Sequence, residues 1–80
     1  MAEGKRFVNW FRVLVDLERK GYGATATATA ISVPKATLLG WKQGSRPGYE
    51  EGDRLLMLWG MVTGNSREMV PTISQFDWRA

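Results

Sequence analysis

Apolar residues recur at helical spacing near the start of the chain, with polar residues on the opposite side. The apolar positions between 7 and 20 are Phe7, Trp10, Phe11, Leu14 and Leu17, widened by Val8, Val13 and Val15. Residues three and four apart share one face of a helix. The pattern predicts an amphipathic helix over 7–20, ended by Gly21 and Gly23. Glu18 falls on the apolar side, where we expect it to lean outward or to pair with a cation from elsewhere.

The next segment, residues 24–31, alternates strictly between alanine and threonine and ends in Ile31. The period of two residues alone predicts a β-strand. However, alanine does not favour strands, and neither face of the alternation is strongly apolar. As a helix it gathers Ala24, Thr27 and Ala28 on a small-residue face that can approach another helix closely. The pattern leaves both structures open, and we interpret the segment as a helix.

A break at Ser32 and Val33 precedes Pro34, and proline is well placed at the first turn of a helix. We therefore predict a third helix over 34–43, with Pro34, Leu38 and Trp41 turned inward and Thr37 at the margin. The positions expected to face outward or sideways are Lys35, Ala36, Leu39, Gly40 and Gln43. Gly44 is expected to end this helix in a left-handed conformation, before a loop over 44–48.

A fourth helix is predicted from Tyr49 to Val62, because acids crowd its first turn and Gly64 is a suitable stop. Its expected core residues are Leu55, Leu56, Leu58, Trp59 and Val62. Residues 70–74 are a candidate edge strand, and Phe76 and Trp78 are expected to contact either a dimer partner or their own core. The pattern thus predicts a compact all-α domain of four to five helices over 1–64, with a poorly determined C-terminal tail over 65–80.

Composition excludes several functions for a chain of 80 residues, which is long enough for one domain. It has no cysteine and no histidine, so disulfides, thiolate metal sites and the usual nucleophile–base pairs are unavailable. We expect no enzyme, no metal, no cofactor and no small-molecule substrate. No run of eighteen apolar residues and no signal-peptide pattern occurs, so we expect no membrane span and a cytoplasmic location.

The positive charges are concentrated in the middle of the chain, whose formal net charge is +3. Between Arg19 and Tyr49 there are five cations and no acid, namely Arg19, Lys20, Lys35, Lys42 and Arg46. A segment of one sign suits a protein that binds a polyanion. Charge alone fits a solvated basic loop equally well.

Two short helices joined by a three- or four-residue turn form a helix-turn-helix unit, whose second helix fits the DNA major groove. Ala28 suits the close helix crossing, and Val33 suits the turn. At this point residues 33–47 resemble the recognition segment of Cro and lambda-repressor-like regulators, a DNA-binding family. The matching positions are Val33, Leu38, Trp41, Gly44 and Pro47 in that segment, together with Ala28 before it. The resemblance covers about residues 7–64 and implies a helix-turn-helix DNA-binding domain, commonly a homodimer on a two-fold-related site of double-stranded DNA.

Carried over by position, the resemblance assigns DNA contacts along and after the third helix. Base edges or nearby phosphates are assigned to Lys35, Ala36, Thr37 and Gly40, and the DNA backbone to Lys42, Gln43, Ser45 and Arg46. The chain departs from the family at Ser32, where glycine is usual, and at Thr27, where an apolar residue is usual. Base-reading side chains are sparse, so we expect DNA shape, water and dimer spacing to carry more of the specificity. An N-terminal arm, Lys5-Arg6, is a further candidate beside a simple solvated start.

The resemblance implies a transcription regulator, a repressor from a phage or bacterium, located near the nucleoid of the host cell. The alternative is a protein-binding helical module, such as an antitoxin or a DNA-packaging or replication recruiter. Its contact patch would be the apolar outward positions Ala36, Leu39 and Gly40. The two differ in salt dependence, because only phosphate neutralisation makes affinity fall steeply with salt.

Overall fold

The computed structural model describes residues 6–74, which form four α-helices, a short 3-10 helix and a two-stranded antiparallel sheet. The elements in chain order are β1 (Arg6–Val8), α1 (Trp10–Arg19), α2 (Ala24–Ile31), α3 (Lys35–Lys42), α4 (Tyr49–Thr63), the 3-10 helix (Arg67–Met69) and β2 (Thr72–Ser74). The expectation of a compact, mostly helical domain is confirmed, with the small sheet as an addition.

The first helix starts later than its periodicity predicts. Phe7 and Val8 lie in β1, where they pair with Ile73 and Thr72 of β2. Asn9 then caps α1, and its Oδ1 accepts a hydrogen bond from the Arg12 backbone N–H over 3.1 Å. The helix predicted over 7–20 is therefore wrong over 7–9. Phe7 and Val8 fit the apolar spacing of the helix, but they form a strand because they pair with residues 72–73, which lie far away in the sequence.

The alanine–threonine segment is helical, as interpreted from the sequence. Thr27 and Ala28 are buried, and the Thr27 hydroxyl donates to the Tyr22 carbonyl oxygen over 3.2 Å. That bond satisfies the polar group which Thr27 brings to an otherwise apolar face. The helix ends at Ser32, whose φ of 62° and ψ of 47° are left-handed. Val33 follows and packs partly buried against the core.

The third helix is one residue shorter at each end than predicted. Pro34 is its N-cap, with φ −64° and ψ 144°, and is exposed, so its predicted inward position is wrong. As the N-cap, Pro34 precedes the helix, so the helical spacing that places Leu38 and Trp41 inward does not extend to it. Leu38 and Trp41 are buried as predicted. Gln43 caps the end of the helix, and Gly44 then takes a positive φ of 125°.

The core lies between the four helices. Its buried apolar residues are Val13, Leu14, Leu17, Ala28, Ile31, Leu38, Trp41, Leu55 and Trp59. Of the residues predicted for the core side of α4, Leu56, Leu58 and Val62 are only partly buried and pack against this cluster. Gly64 ends α4 with a φ of 76°, in agreement with its expected role.

The C-terminal part continues to pack on the domain beyond residue 64. The 3-10 helix contacts α4, and β2 forms the predicted edge strand over a shorter range. Phe76 and Trp78 lie outside the described residues, as does Lys5 of the candidate arm. Within residues 6–74, no helix is both long and apolar enough to cross a membrane.

Candidate nucleic-acid interface

The third helix is fixed to the body of the domain by one side only. Leu38 and Trp41 are buried where α3 packs on α1 and α2. The three residues that precede them in the helix, Lys35, Ala36 and Thr37, are exposed. The predicted inward pair is therefore confirmed, as is the outward position of Lys35 and Ala36, whereas Thr37, expected at the margin, is exposed.

The eight predicted contact residues fall into two neighbouring groups. Lys35, Ala36 and Thr37 form the exposed first turn of α3, followed by the half-buried Gly40. The second group lies at the end of α3 and in the loop after it, namely Lys42, Gln43, Ser45 and Arg46. Within that group Lys42 is half-buried and the other three are exposed. Of the three cations among the eight, Lys35 and Arg46 have no ion pair within residues 6–74.

Lys42 is the exception. Its Nζ lies 2.6 Å from Glu18 Oε2 at the end of α1. This pair is the one anticipated for Glu18 from its place on the apolar side of the helix. The carboxylate neutralises part of the charge that Lys42 would offer to a phosphate, and it directs the ammonium group toward α1.

Arg46 makes a different kind of contact. Its guanidinium carbon lies 4.6 Å from the centroid of the Phe7 ring, in cation–π geometry. Phe7 belongs to β1, so the loop after α3 is connected through this contact to the sheet. Phe7 could not be recognised from the sequence, because its apolar spacing predicts a helix and gives no signal that its ring faces residue 46.

A groove of about 350 Å³ lies beside these residues, between the start of α1 and the end of α3. Its floor is apolar and includes Trp10, Trp41 and Ile73, with Phe11 half exposed at its edge. Its polar rim consists of Asn9, Lys42, Gln43, Ser45 and Arg46. The groove therefore places the residues predicted to contact the DNA backbone next to residues near both ends of the described chain.

Leu39 adds an apolar element to the exposed side of α3. It is 38% exposed and stands with Ala36 and Gly40 on the outward positions. The face therefore combines a cationic start with a small apolar middle. Within residues 6–74, no three acidic side chains gather into a potential metal site.

Known proteins give no information about this surface. The chain matches no protein-family model, and no significant match is found among curated proteins or solved structures. The geometry and charge of α3 and of its following loop therefore carry the proposal below.

Proposed function

We propose that this chain binds double-stranded DNA by placing α3 in the major groove. The observation that supports this most directly is that α3 buries Leu38 and Trp41 on one side and exposes side chains on the other. The exposed residues are Lys35, Ala36, Thr37 and Leu39. A helix with its side chains is about 10–12 Å wide, and the major groove of B-DNA is about 12 Å wide. Because α3 packs on α1 and α2 from one side, its other side is free to enter the groove.

The charge distribution favours this orientation. Lys35 stands at the start of α3 and Arg46 just after its end, so both ends of the inserted helix carry an exposed cation. No side chain caps the start of α3, which leaves its first backbone N–H groups to a phosphate oxygen. Phosphate contacts at the two ends would fix the position of α3 along the groove.

Base readout through this face is sparse. Ala36 and Thr37 carry methyl groups that suit contact with a thymine methyl, whereas Gly40 allows close approach without selecting a base. We propose that shape, bridging water and the spacing of two half-sites supply the remaining specificity, with two copies on a two-fold-related site. The resemblance of residues 33–47 to Cro and lambda-repressor-like regulators supports the role that we propose. That role is a transcription regulator, a repressor from a phage or bacterium, acting at the nucleoid in the cytoplasm.

One observation favours a second function. Leu39 is exposed beside Ala36 and Gly40, and an apolar patch on a helix suits a protein partner. In that case α3 would serve as the contact surface of an antitoxin-like or packaging and replication module. Binding through such a patch would change little with salt.

The test is an amide NMR titration with a short generic DNA duplex, first at low and then at moderate salt. DNA binding predicts shifts concentrated over 33–46 that fade as salt rises. Lys35→Gln should weaken binding and lower the salt slope by about 0.9. Lys20→Gln is the matched control, since it removes one exposed positive charge at the end of α1, outside α3 and the loop after it. The absence of shifts at low salt would contradict DNA binding and favour the protein-binding alternative.

A further inference from the structure

Arg46 lies in the loop between α3 and α4, and its side chain is exposed. Gly44 precedes it with a positive φ, and Gly48 caps the next helix. An exposed arginine in such a loop ordinarily samples many rotamers, and binding a phosphate would then have to restrict them. In this chain the guanidinium lies instead over the Phe7 ring.

Phe7 is held by an element that belongs neither to α3 nor to the loop. It lies at the centre of β1 and pairs with Ile73 of β2. The ring is half-buried, so its position is restricted by the sheet. The sheet therefore offers a fixed aromatic surface beside the proposed DNA-binding face.

We propose that Phe7 is a positioning residue for DNA binding, which orients the Arg46 guanidinium toward a backbone phosphate next to α3. This inference rests on the proposed function. A guanidinium that stacks on a ring uses its flat face and keeps its N–H donors free in the plane. The contact therefore orders Arg46 without competing for the phosphate, whereas the Glu18 carboxylate competes directly for Lys42.

The geometry can be tested without DNA. In the wild-type protein, the Phe7 ring current should shift the δ-methylene protons of Arg46 upfield in the NMR spectrum. Phe7→Leu should abolish that shift and keep an apolar residue in the strand. Phe7→Tyr should preserve it, because the aromatic face remains. Unshifted protons in the wild type would overturn the inference whatever the DNA result.

The functional test is a double-mutant cycle with Phe7→Leu and Arg46→Gln, in which affinity for a short duplex is measured over a range of salt. Arg46→Gln should weaken binding and lower the salt slope by about 1. Phe7→Leu should weaken binding about two- to fivefold, as expected for an exposed cation–π contact, and should leave the slope nearly unchanged. In the Arg46→Gln background, Phe7→Leu should have no further effect. Phe11→Leu is the matched control, since it removes a phenyl ring from the groove beside Arg46.

The outcomes separate the two proposals. If Arg46→Gln weakens binding and Phe7→Leu does not, the positioning role is overturned and DNA binding stands. The same conclusion follows if Phe7→Leu and Phe11→Leu weaken binding equally, because the effect would then not be specific to the stacked ring. If the wild-type protein binds no duplex at low salt, the proposed function fails and this inference fails with it.

Discussion

The indole N–H of Trp59 donates a hydrogen bond to Asp16 Oδ2 over 3.1 Å and thereby joins α4 to α1. Trp59 is 1% exposed, so this donor is removed from water. The other oxygen of the same carboxylate accepts from Arg12 Nε, also over 3.1 Å. Asp16 therefore lets one of the two core tryptophans be buried without an unsatisfied polar group.

We predict that Asp16→Ala destabilises the domain by about 1–3 kcal/mol, because the Trp59 N–H loses its acceptor inside the core. Asp16→Asn retains a carbonyl oxygen and should cost less. Urea unfolding followed by tryptophan fluorescence measures both variants. An alanine variant as stable as the wild type would contradict this role of the carboxylate.

Ser32 carries backbone strain, since its φ of 62° lies in the left-handed region that favours glycine. Ser32→Gly should stabilise the domain by roughly 0.5–1 kcal/mol. The substitution relieves the backbone strain, and this gain is partly offset by the greater conformational entropy of glycine in the unfolded chain. Ser66 has a φ of −76° and serves as the control position. Ser66→Gly should destabilise slightly, because no strain is present to relieve. The melting temperatures of the two variants test this difference. Equal changes in stability for Ser32→Gly and Ser66→Gly would argue against strain at Ser32.

Trp41 is predicted to be essential for folding. It is 4% exposed, and Trp41→Ala should cost roughly 3–5 kcal/mol, which a domain of this size is not expected to tolerate. Leu39→Ala, two residues earlier on the same helix, should cost at most about 1 kcal/mol because Leu39 is exposed. Circular dichroism and chemical denaturation compare the two. If the Trp41→Ala protein were as stable as the wild type, Trp41 would not belong to the buried side of α3.

The ion pair between Glu18 and Lys42 makes a prediction about DNA affinity. Glu18→Gln should strengthen duplex binding by a factor of about 1.4 to 5 at low salt, because an exposed pair of this kind is worth roughly 0.2–1 kcal/mol and its release frees the ammonium. The gain should shrink as salt screens the charges. Glu68→Gln removes an exposed acid from the 3-10 helix and should have no comparable effect. Weaker DNA binding by Glu18→Gln would contradict this prediction and would mean that the ion pair holds Lys42 in the position that DNA binding requires.

The positions of α3 and α4 could be predicted from the sequence, because their signals are local, whereas the alternation over 24–31 fitted a strand as well as the helix α2. Ala28 and Ile31 recur at helical spacing within the alanine–threonine segment, and Leu38 and Trp41 do so after the proline. Gly64 marks the end of α4 through its positive φ. Each of these features depends on residues within one or two turns, which the sequence displays side by side.

The sheet and its consequences could not be predicted in the same way. Phe7 and Val8 continue the apolar period of α1, and only their pairing with 72–73 makes them a strand. The stacking of Arg46 on Phe7 depends on that pairing and was therefore missed. Lys42 and Arg46 look equivalent as charges in sequence, but the fold gives one a carboxylate partner and the other an aromatic partner.

Because β1 pairs position 6 with position 74, the sheet closes a loop that contains all four helices. Loop closure over such a distance costs chain entropy, and contacts between distant residues form slowly compared with local ones. The helices are therefore expected to assemble before the strands meet, and the strands to separate first under mild destabilisation. Hydrogen exchange should accordingly be fastest for the sheet amides, and the aromatic surface under Arg46 should be the last feature to form during folding and the first to be lost.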